Sequence, residues 1–195
     1  MANHTAAHRH DESAPTTQEK RSQLYELIDD IEIALMTTRR ADGSLVSRPM
    51  ATQARTEGTD LWFTTDVETA KVDELEHDPN VNLAYYKNGT REFVSVSGIA
   101  RLSRDRELIR RLYKPSWRAW LGDEGGARNG GPDDPRIALV LVEAQSATYL
   151  KTQHGKAVTL FQVIKGAVTG DRPDIGTHGS LNRAELRQGN GRRDV

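Results

Sequence analysis

Short apolar segments separated by turn-forming residues constrain the fold of this chain more than any other feature. The strand-like runs cover residues 33–38, 61–65, 81–86, 92–102 and 136–150. Asp42-Gly43 and Asn88-Gly89 are typical of tight hairpin turns. Together with the stretch that follows the first turn, the pattern predicts six or seven antiparallel strands that close into a barrel, with small helices at its mouth.

Helix signals are few and lie outside the strand-like runs. Thr16 and Glu19 form a capping-box pattern, and apolar residues follow at helical spacing, which predicts a helix over about residues 17–30. Ser103 is a candidate cap for a second helix over about residues 104–113. The fold is therefore expected to be mainly β with peripheral helices, in the α+β class.

The length of 195 residues leaves room for one ordinary domain with loose ends. Polar composition predicts a disordered arm over residues 1–15 and a disordered tail over residues 170–195, with one domain between them over residues 16–169. The amino end lacks the apolar core of a secretory signal, and no apolar run reaches membrane-spanning length. A cytoplasmic protein without a membrane partner is expected.

Composition excludes several classes of function. Lys and Arg number 27 against 28 Asp and Glu, so the chain lacks the basic field of a nucleic-acid-binding protein. The absence of cysteine excludes disulfides, thiolate zinc sites and a cysteine nucleophile. The histidines His4, His8 and His10 have no carboxylate framework around them, so no metal site is predicted.

The segment SLVSRPMATQ (residues 44–53) combines a strand pattern with residues that a central strand would exclude. Arg48 carries a planar fork of donors that suits a phosphate group. Pro49 is predicted to interrupt the ladder and free backbone groups for a ligand, and the flexible Met50 could line an aromatic ring. An arginine on a solvent-facing position beside an edge proline explains the segment equally well.

The segment WFTTDVETAKVDEL (residues 62–75) runs from a strand, through hydroxyl-bearing residues, into a helix that carries Lys71 in its first turn. Free amides at a helix start attract phosphate, and threonine hydroxyls and a lysine add further donors. The alternative is that Thr69 caps the helix while Lys71 points into solvent.

Taken together, TTRRADGSLVSRPM, LWFTTDVETAKVDEL and DPNVNLAYY resemble the FMN-binding split barrel of the pyridoxamine 5'-phosphate oxidase superfamily. The resemblance is closer to the general stress protein 26-like branch and spans about residues 18–169. It implies a six- or seven-stranded antiparallel split β-barrel of the FMN-binding type. It also implies a homodimer with FMN held in the interface between the two copies.

The resemblance assigns the phosphate and part of the flavin ring to one protomer. Arg48 is implied to grip the FMN phosphate, with Thr69 and Lys71 completing the phosphate pocket. Pro49 and Met50 are implied to present backbone and side chain to the isoalloxazine ring. Many relatives carry a basic residue just before the phosphate lysine, where this chain has alanine, so its phosphate pocket has one charge fewer.

Further residues are implied to line the flavin. Thr64 and Thr65 would do so from the same protomer, and Ser95, Ser97 and Trp117 would form the wall contributed by the partner. Trp117 also lies at helical spacing from other aromatic residues, which fits either packing of a short helix or a lid over the pocket.

The resemblance implies an FMN-dependent oxidoreductase that acts on a small molecule or accepts electrons from a donor such as NAD(P)H. The tail has no Arg-Leu-x-Pro arrangement of the kind that holds pyridoxamine phosphate, so a role in making pyridoxal phosphate is not expected. No catalytic acid or base is identified. The alternatives are a flavin buffer, carrier or redox sensor without turnover, or a barrel that binds a deazaflavin or haem.

Overall fold

The structure, a computed structural model, describes residues 14–55, 59–152 and 176–188. The strands are β1 (Ile33–Arg39), β2 (Leu45–Ala51), β3 (Leu61–Asp66), β4 (Asn80–Lys87), β5 (Glu92–Ser103), β6 (Ile137–Lys151) and β7 (Thr177–Asn182). The helices are α1 (Thr17–Ile31), α2 (Ala70–His77), α3 (Arg106–Leu112), a 3-10 turn (Pro115–Trp117), α4 (Arg118–Leu121) and α5 (Arg183–Arg187).

All strand pairs in the described residues are antiparallel and form one seven-stranded sheet. Its order is β2-β1-β4-β5-β6-β3, and β7 pairs with β6. The long strand β6 pairs with β5 along one edge. On its other edge it pairs first with β3 and then with β7. The predicted antiparallel strands with peripheral helices are confirmed.

The two ends of this sheet meet where the chain leaves β2. The amide of Gln53 donates to the carbonyl oxygen of Trp62 on β3 at 3.0 Å, and the indole Nε1 of Trp62 donates to the carbonyl of Ala54 at 2.8 Å. These bonds bring the outermost strands together and curl the sheet into a split barrel. The predicted hairpin between β1 and β2 is present, with Gly43 at a φ of 85° that favours glycine.

A continuous apolar core fills the barrel, with α1 packed against it through Leu24, Leu27 and Ile28. The predicted capping box at Thr16 begins this helix. A second, smaller core lies between β3, β6 and the segment from α3 to α4. The start of α3 differs from the prediction because the carboxylate of Asp105, not Ser103, accepts the first helical amides.

Pro49 does not interrupt β2, contrary to the prediction. The ladder between β1 and β2 runs without a break from Ile33–Ala51 to Arg39–Leu45, and Pro49 stands opposite Leu35. The strand tolerates proline because it lies at one end of the sheet order and, among the described strands, pairs only with β1. The edge-proline part of the alternative is therefore correct, whereas Arg48 is 21 % exposed and does not face solvent.

The prediction of a disordered tail over residues 170–195 is wrong for the residues that form β7 and α5. Leu181 and Leu186 are buried in the main core, and Gly179 lies against the ring of Tyr149 on β6. The apolar residues of this segment are too widely spaced to stand out in its polar sequence. Almost all of the predicted arm over residues 1–15 lies outside the described residues.

A buried arginine organises the glycine-rich loop between α4 and β6. Arg136 is 2 % exposed and donates to the carboxylate of Asp134 at 2.7 Å and to the carbonyl of Leu121 at 2.7 Å. The bond from Arg136 holds the pKa of the Asp134 carboxyl well below its usual range, although burial opposes it. The loop is thus attached to the barrel, not free.

Candidate functional site

Arg48 and Lys71 come from separate segments and lie in one polar cluster, which we call the anion cluster: Thr38, Arg48, Thr65, Thr69, Lys71 and Glu74. The end of β1, the middle of β2, the end of β3 and the start of α2 supply these residues. Arg48 donates to Glu74 at 2.6 Å, and Glu74 lies three residues from Lys71 on the same face of α2, so the three charges belong to one cluster.

Arg48 is held from one side by two residues of the cluster. Its Nη1 donates to Thr38 Oγ1 at 2.6 Å, and its Nη2 donates to Glu74 Oε2 at 2.6 Å. The side chain is 21 % exposed, so it is neither part of the core nor freely solvated. A guanidinium has five N–H donors, and these two bonds leave capacity for an anion on its open side.

Lys71 is buried beside threonine hydroxyls instead of pointing into solvent. Its Nζ donates to Thr65 Oγ1 and, at 3.3 Å, to Thr69 Oγ1. Burial and, to a smaller extent, the nearby Arg48 cation lower the pKa of Lys71 to about 8, although Asp66 and Glu74 oppose the shift. A bound anion would offset both the cost of burying the Lys71 ammonium and its repulsion by Arg48. The solvated alternative for Lys71 is therefore wrong.

The start of α2 adds backbone donors to the cluster. Thr69 occupies the cap position, yet its side chain makes no capping bond, and its Oγ1 donates to the carbonyl of Asp66 at 2.8 Å. The alternative that the Thr69 side chain caps this helix is therefore wrong. Since no side chain caps this terminus, its first amides and the helix dipole can serve an anion.

Glu74 is the member of the cluster that the sequence did not identify. Its carboxylate accepts hydrogen bonds from Thr38 at 2.5 Å, from Arg48 at 2.6 Å and from Nε of Arg40 at 3.3 Å. Burial raises the pKa of Glu74, but the bonds from Thr38 and Arg48 outweigh burial and hold the pKa below its usual value. Glu74 lies three residues from Lys71, which puts both side chains on one face of α2. This spacing is the sequence signal that could have identified Glu74.

The remaining residues predicted to line the flavin fall in different places. Met50 is 9 % exposed and packs in the main core, and its contact with a flavin ring stays a prediction. Pro49 is exposed on the outer face of β2. Thr64 and Thr65 point to opposite faces of β3, so only Thr65 joins the anion cluster. Thr64 Oγ1 is buried without a hydrogen-bond partner in the described part of the chain.

Ser95 and Ser97 lie on the outer face of the sheet and Trp117 does not. Ser95 accepts a hydrogen bond from Asn82, and Ser97 lines an open groove of about 320 Å³ on that face. Trp117 is buried in the second core, with ring centroids 6.1 Å from Trp62 and 5.6 Å from Tyr113. This packing agrees with the interpretation of Trp117 as part of a packed short helix, and its place in a partner wall stays a prediction.

Comparison with known proteins agrees with this split barrel. The family model described as pyridoxamine 5'-phosphate oxidase like matches residues 19–174. The chain therefore belongs to the pyridoxamine 5'-phosphate oxidase-like family.

The proteins similar to this chain include general stress proteins of this family. It is 33 % identical over 179 residues to protein bli-3 of Neurospora crassa, covering 90 % of this chain and 85 % of the relative. A structure described as general stress protein 26 from Jannaschia sp. CCS1 has a TM-score of 0.62 and 22 % identity, covering 83 % of this chain and 96 % of that one. The general stress FMN/FAD binding protein of Xanthomonas citri has a TM-score of 0.55 and 26 % identity, covering 68 % and 88 %.

Two properties of the described residues bear on other classes of function. None of the helices there is both long and apolar enough to cross a bilayer. In the same residues, no group of three or more His, Asp or Glu side chains has the arrangement of a metal site.

Proposed function

We propose that this protein binds FMN through its phosphate at the anion cluster and acts as an FMN-dependent oxidoreductase. The observation that carries the proposal is the convergence of Arg48 and Lys71 on one site with threonine hydroxyls and an uncapped helix start. Glu74 pairs with Arg48 at 2.6 Å and offsets one of the two positive charges, so an anion that met both cations would balance the other. A phosphate monoester matches this donor set, since it accepts from several donors at once.

The residues of the cluster would bind and orient the cofactor. Arg48 and Lys71 would hold the phosphate, while Thr65 and Thr69 would fix the Lys71 amine. Edge strand β2 leads from Arg48 toward its junction with β3 at Gln53, and this direction offers a path for the rest of the cofactor. Bound FMN would supply hydride transfer to or from a small-molecule substrate or a donor such as NAD(P)H.

The outer face of the sheet supports a homodimer. Ile33 and Leu35 on β1 and Ile99 on β5 are 42–48 % exposed, and they share this face with the small residues Ser95 and Ser97. An apolar sheet face with short side chains is typical of a subunit interface. We propose that a second copy of the chain packs here and that the flavin ring lies between the two copies.

The description of the Xanthomonas citri structure as an FMN/FAD binding protein adds support for a flavin. We propose FMN and not FAD because the phosphate donors are few and grouped, with one arginine and one lysine at their centre. We also propose a cytoplasmic location, for which the absence of cysteine is the supporting observation.

A titration with related flavins tests the proposal. The purified protein is mixed with FMN, riboflavin or FAD, and flavin fluorescence and visible absorbance are followed. We expect saturable FMN binding, with riboflavin bound about a hundredfold more weakly because it lacks the phosphate. Protein that binds none of the flavins would contradict the proposal, and equal affinity for FMN and riboflavin would contradict the phosphate site.

A flavin-binding protein without turnover is the second candidate function. The observation that favours it is that the charged groups of the cluster, Arg48, Lys71 and Glu74, are all engaged in the anion site. None of them is left as an acid or base for a substrate. Anaerobic mixing of the FMN-loaded protein with NADH or NADPH separates the two functions, because prompt bleaching of the flavin absorbance supports the oxidoreductase.

A further inference from the structure

Glu74 is a buried carboxylate in a site that must attract an anion, and it therefore requires an explanation of its own. We propose that Glu74 is a positioning residue for the anion cluster: its carboxylate fixes Arg48 from behind and offsets the repulsion between the Arg48 and Lys71 cations. This inference rests on the proposed phosphate site and assigns a role to a residue that does not touch the ligand.

The hydrogen bonds around Glu74 form a closed triangle. Thr38 accepts from Arg48 at 2.6 Å and donates to Glu74 at 2.5 Å, while Arg48 donates directly to Glu74 at 2.6 Å. Each member of the triangle therefore fixes the other two. Arg48 loses side-chain freedom before any ligand arrives, which reduces the entropic cost of binding.

The position of Glu74 indicates that its carboxylate supports Arg48 and does not compete with the ligand for it. Glu74 is 6 % exposed and Arg48 is 21 % exposed, so the carboxylate lies deeper than the guanidinium that it holds. If the ligand displaced Glu74 from Arg48, the buried carboxylate would keep its charge with fewer hydrogen-bond partners, which is costly. The ligand is expected to meet the open side of Arg48, with Glu74 still in place.

The charges that face Lys71 show the second part of the role. Arg48 from β2 repels the ammonium group, whereas Asp66 from the end of β3 and Glu74 from α2 attract it. Arg40, which follows β1, pairs with the other oxygen of Glu74 at 3.3 Å. Removing the Glu74 charge would lower the pKa of Lys71 further, so a larger fraction of this amine would be neutral at physiological pH.

The test compares Glu74→Gln with Glu76→Gln, which makes the same charge change on an exposed position of the same helix. FMN affinity is measured by fluorescence quenching at about pH 7, and the titration midpoint of the Lys71 amine is measured by NMR in the protein without FMN. In Glu74→Gln we expect FMN affinity to fall about tenfold and the Lys71 midpoint to move to lower pH. In Glu76→Gln both should remain at the wild-type values.

Several outcomes would overturn the inference. Tighter FMN binding by Glu74→Gln would show that the carboxylate competes with the phosphate. Equal behaviour of the two glutamine variants would show that Glu74 has no role in the cluster. Wild-type protein that fails to bind FMN would contradict the proposed function, yet the Lys71 midpoint would still decide whether Glu74 holds the amine charged.

A second variant keeps the inference testable if Glu74→Gln does not fold. Thr38→Val removes the hydroxyl that links Arg48 to Glu74 but changes no charge. We expect it to weaken FMN binding several-fold while leaving the Lys71 midpoint near its wild-type value. Unchanged affinity in a folded Thr38→Val protein would contradict the positioning of Arg48 by the triangle.

Discussion

Pro49 on β2 stands directly opposite Leu35 on β1 in a ladder that continues on both sides of it. The neighbouring Arg48 consequently occupies a regular strand position, and its side chain points to the same side of the sheet as Met36 opposite it. The proline lies on the outer face and the arginine reaches the anion cluster. Edge strand β2 therefore contributes residues both to the outer face of the sheet and to the anion cluster.

The first prediction concerns the proposed contact between Arg48 and the FMN phosphate. We expect Arg48→Ala to weaken FMN binding by about 2–3 kcal/mol, because a charge-assisted contact to the phosphate is lost. Isothermal titration measures the change, with Arg104→Ala as a control that removes an exposed arginine paired with Glu76. Riboflavin affinity should be the same in all three proteins. An unchanged FMN affinity in Arg48→Ala would place the phosphate elsewhere.

The second prediction concerns pH. The pKa of Lys71 in the protein without ligand is lowered to about 8, and a bound phosphate should raise it, so binding takes up a proton above that pH. FMN affinity is therefore expected to be constant from about pH 7 toward 8 and to fall as pH rises further. Fluorescence titrations across this range measure the effect. Lys71→Met should bind more weakly with no such fall, and a persisting fall in this variant would assign it to another group.

The third prediction concerns the outer sheet face. Ile99→Lys places a charge in the proposed interface, opposite Glu143 on β6, whose carboxylate already pairs with Arg183 and Arg187. We expect the variant to be monomeric by light scattering and to bind FMN less tightly. Gln18→Lys, on the exposed start of α1, makes the same charge change away from this face. A dimeric Ile99→Lys protein would show that the subunits meet elsewhere.

The fourth prediction concerns the packing of β7 against β6. A Cβ on Gly179 would lie 2.1 Å from the ring of Tyr149, which is buried and donates to Gln23 at 2.8 Å. We expect Gly179→Ala to lower the free energy of unfolding by about 1–3 kcal/mol in a urea titration. Combining it with Tyr149→Leu should cost less than the sum of the two single changes. Strict additivity would mean that Gly179 and Tyr149 are not in contact.

The sequence was sufficient for those features that depend on neighbouring residues. Turn signals and strand patterns predicted the antiparallel barrel, and local motifs placed Arg48 on a strand and Lys71 at a helix start. The bond network of Glu74 was not predictable because it joins residues up to 36 positions apart. The direction of Met50 into the core depended on register, since a strand that continues through proline keeps its alternation.

The long strand β6 pairs through Ile137–Val142 with β3 and through Ser146–Lys151 with β7, on the same edge. Loss of the carboxy-terminal segment would thus uncover about half of that edge, with its amide and carbonyl groups ready to recruit the strands of other molecules. By pairing with Ser146–Lys151, β7 satisfies these amide and carbonyl groups within the same chain.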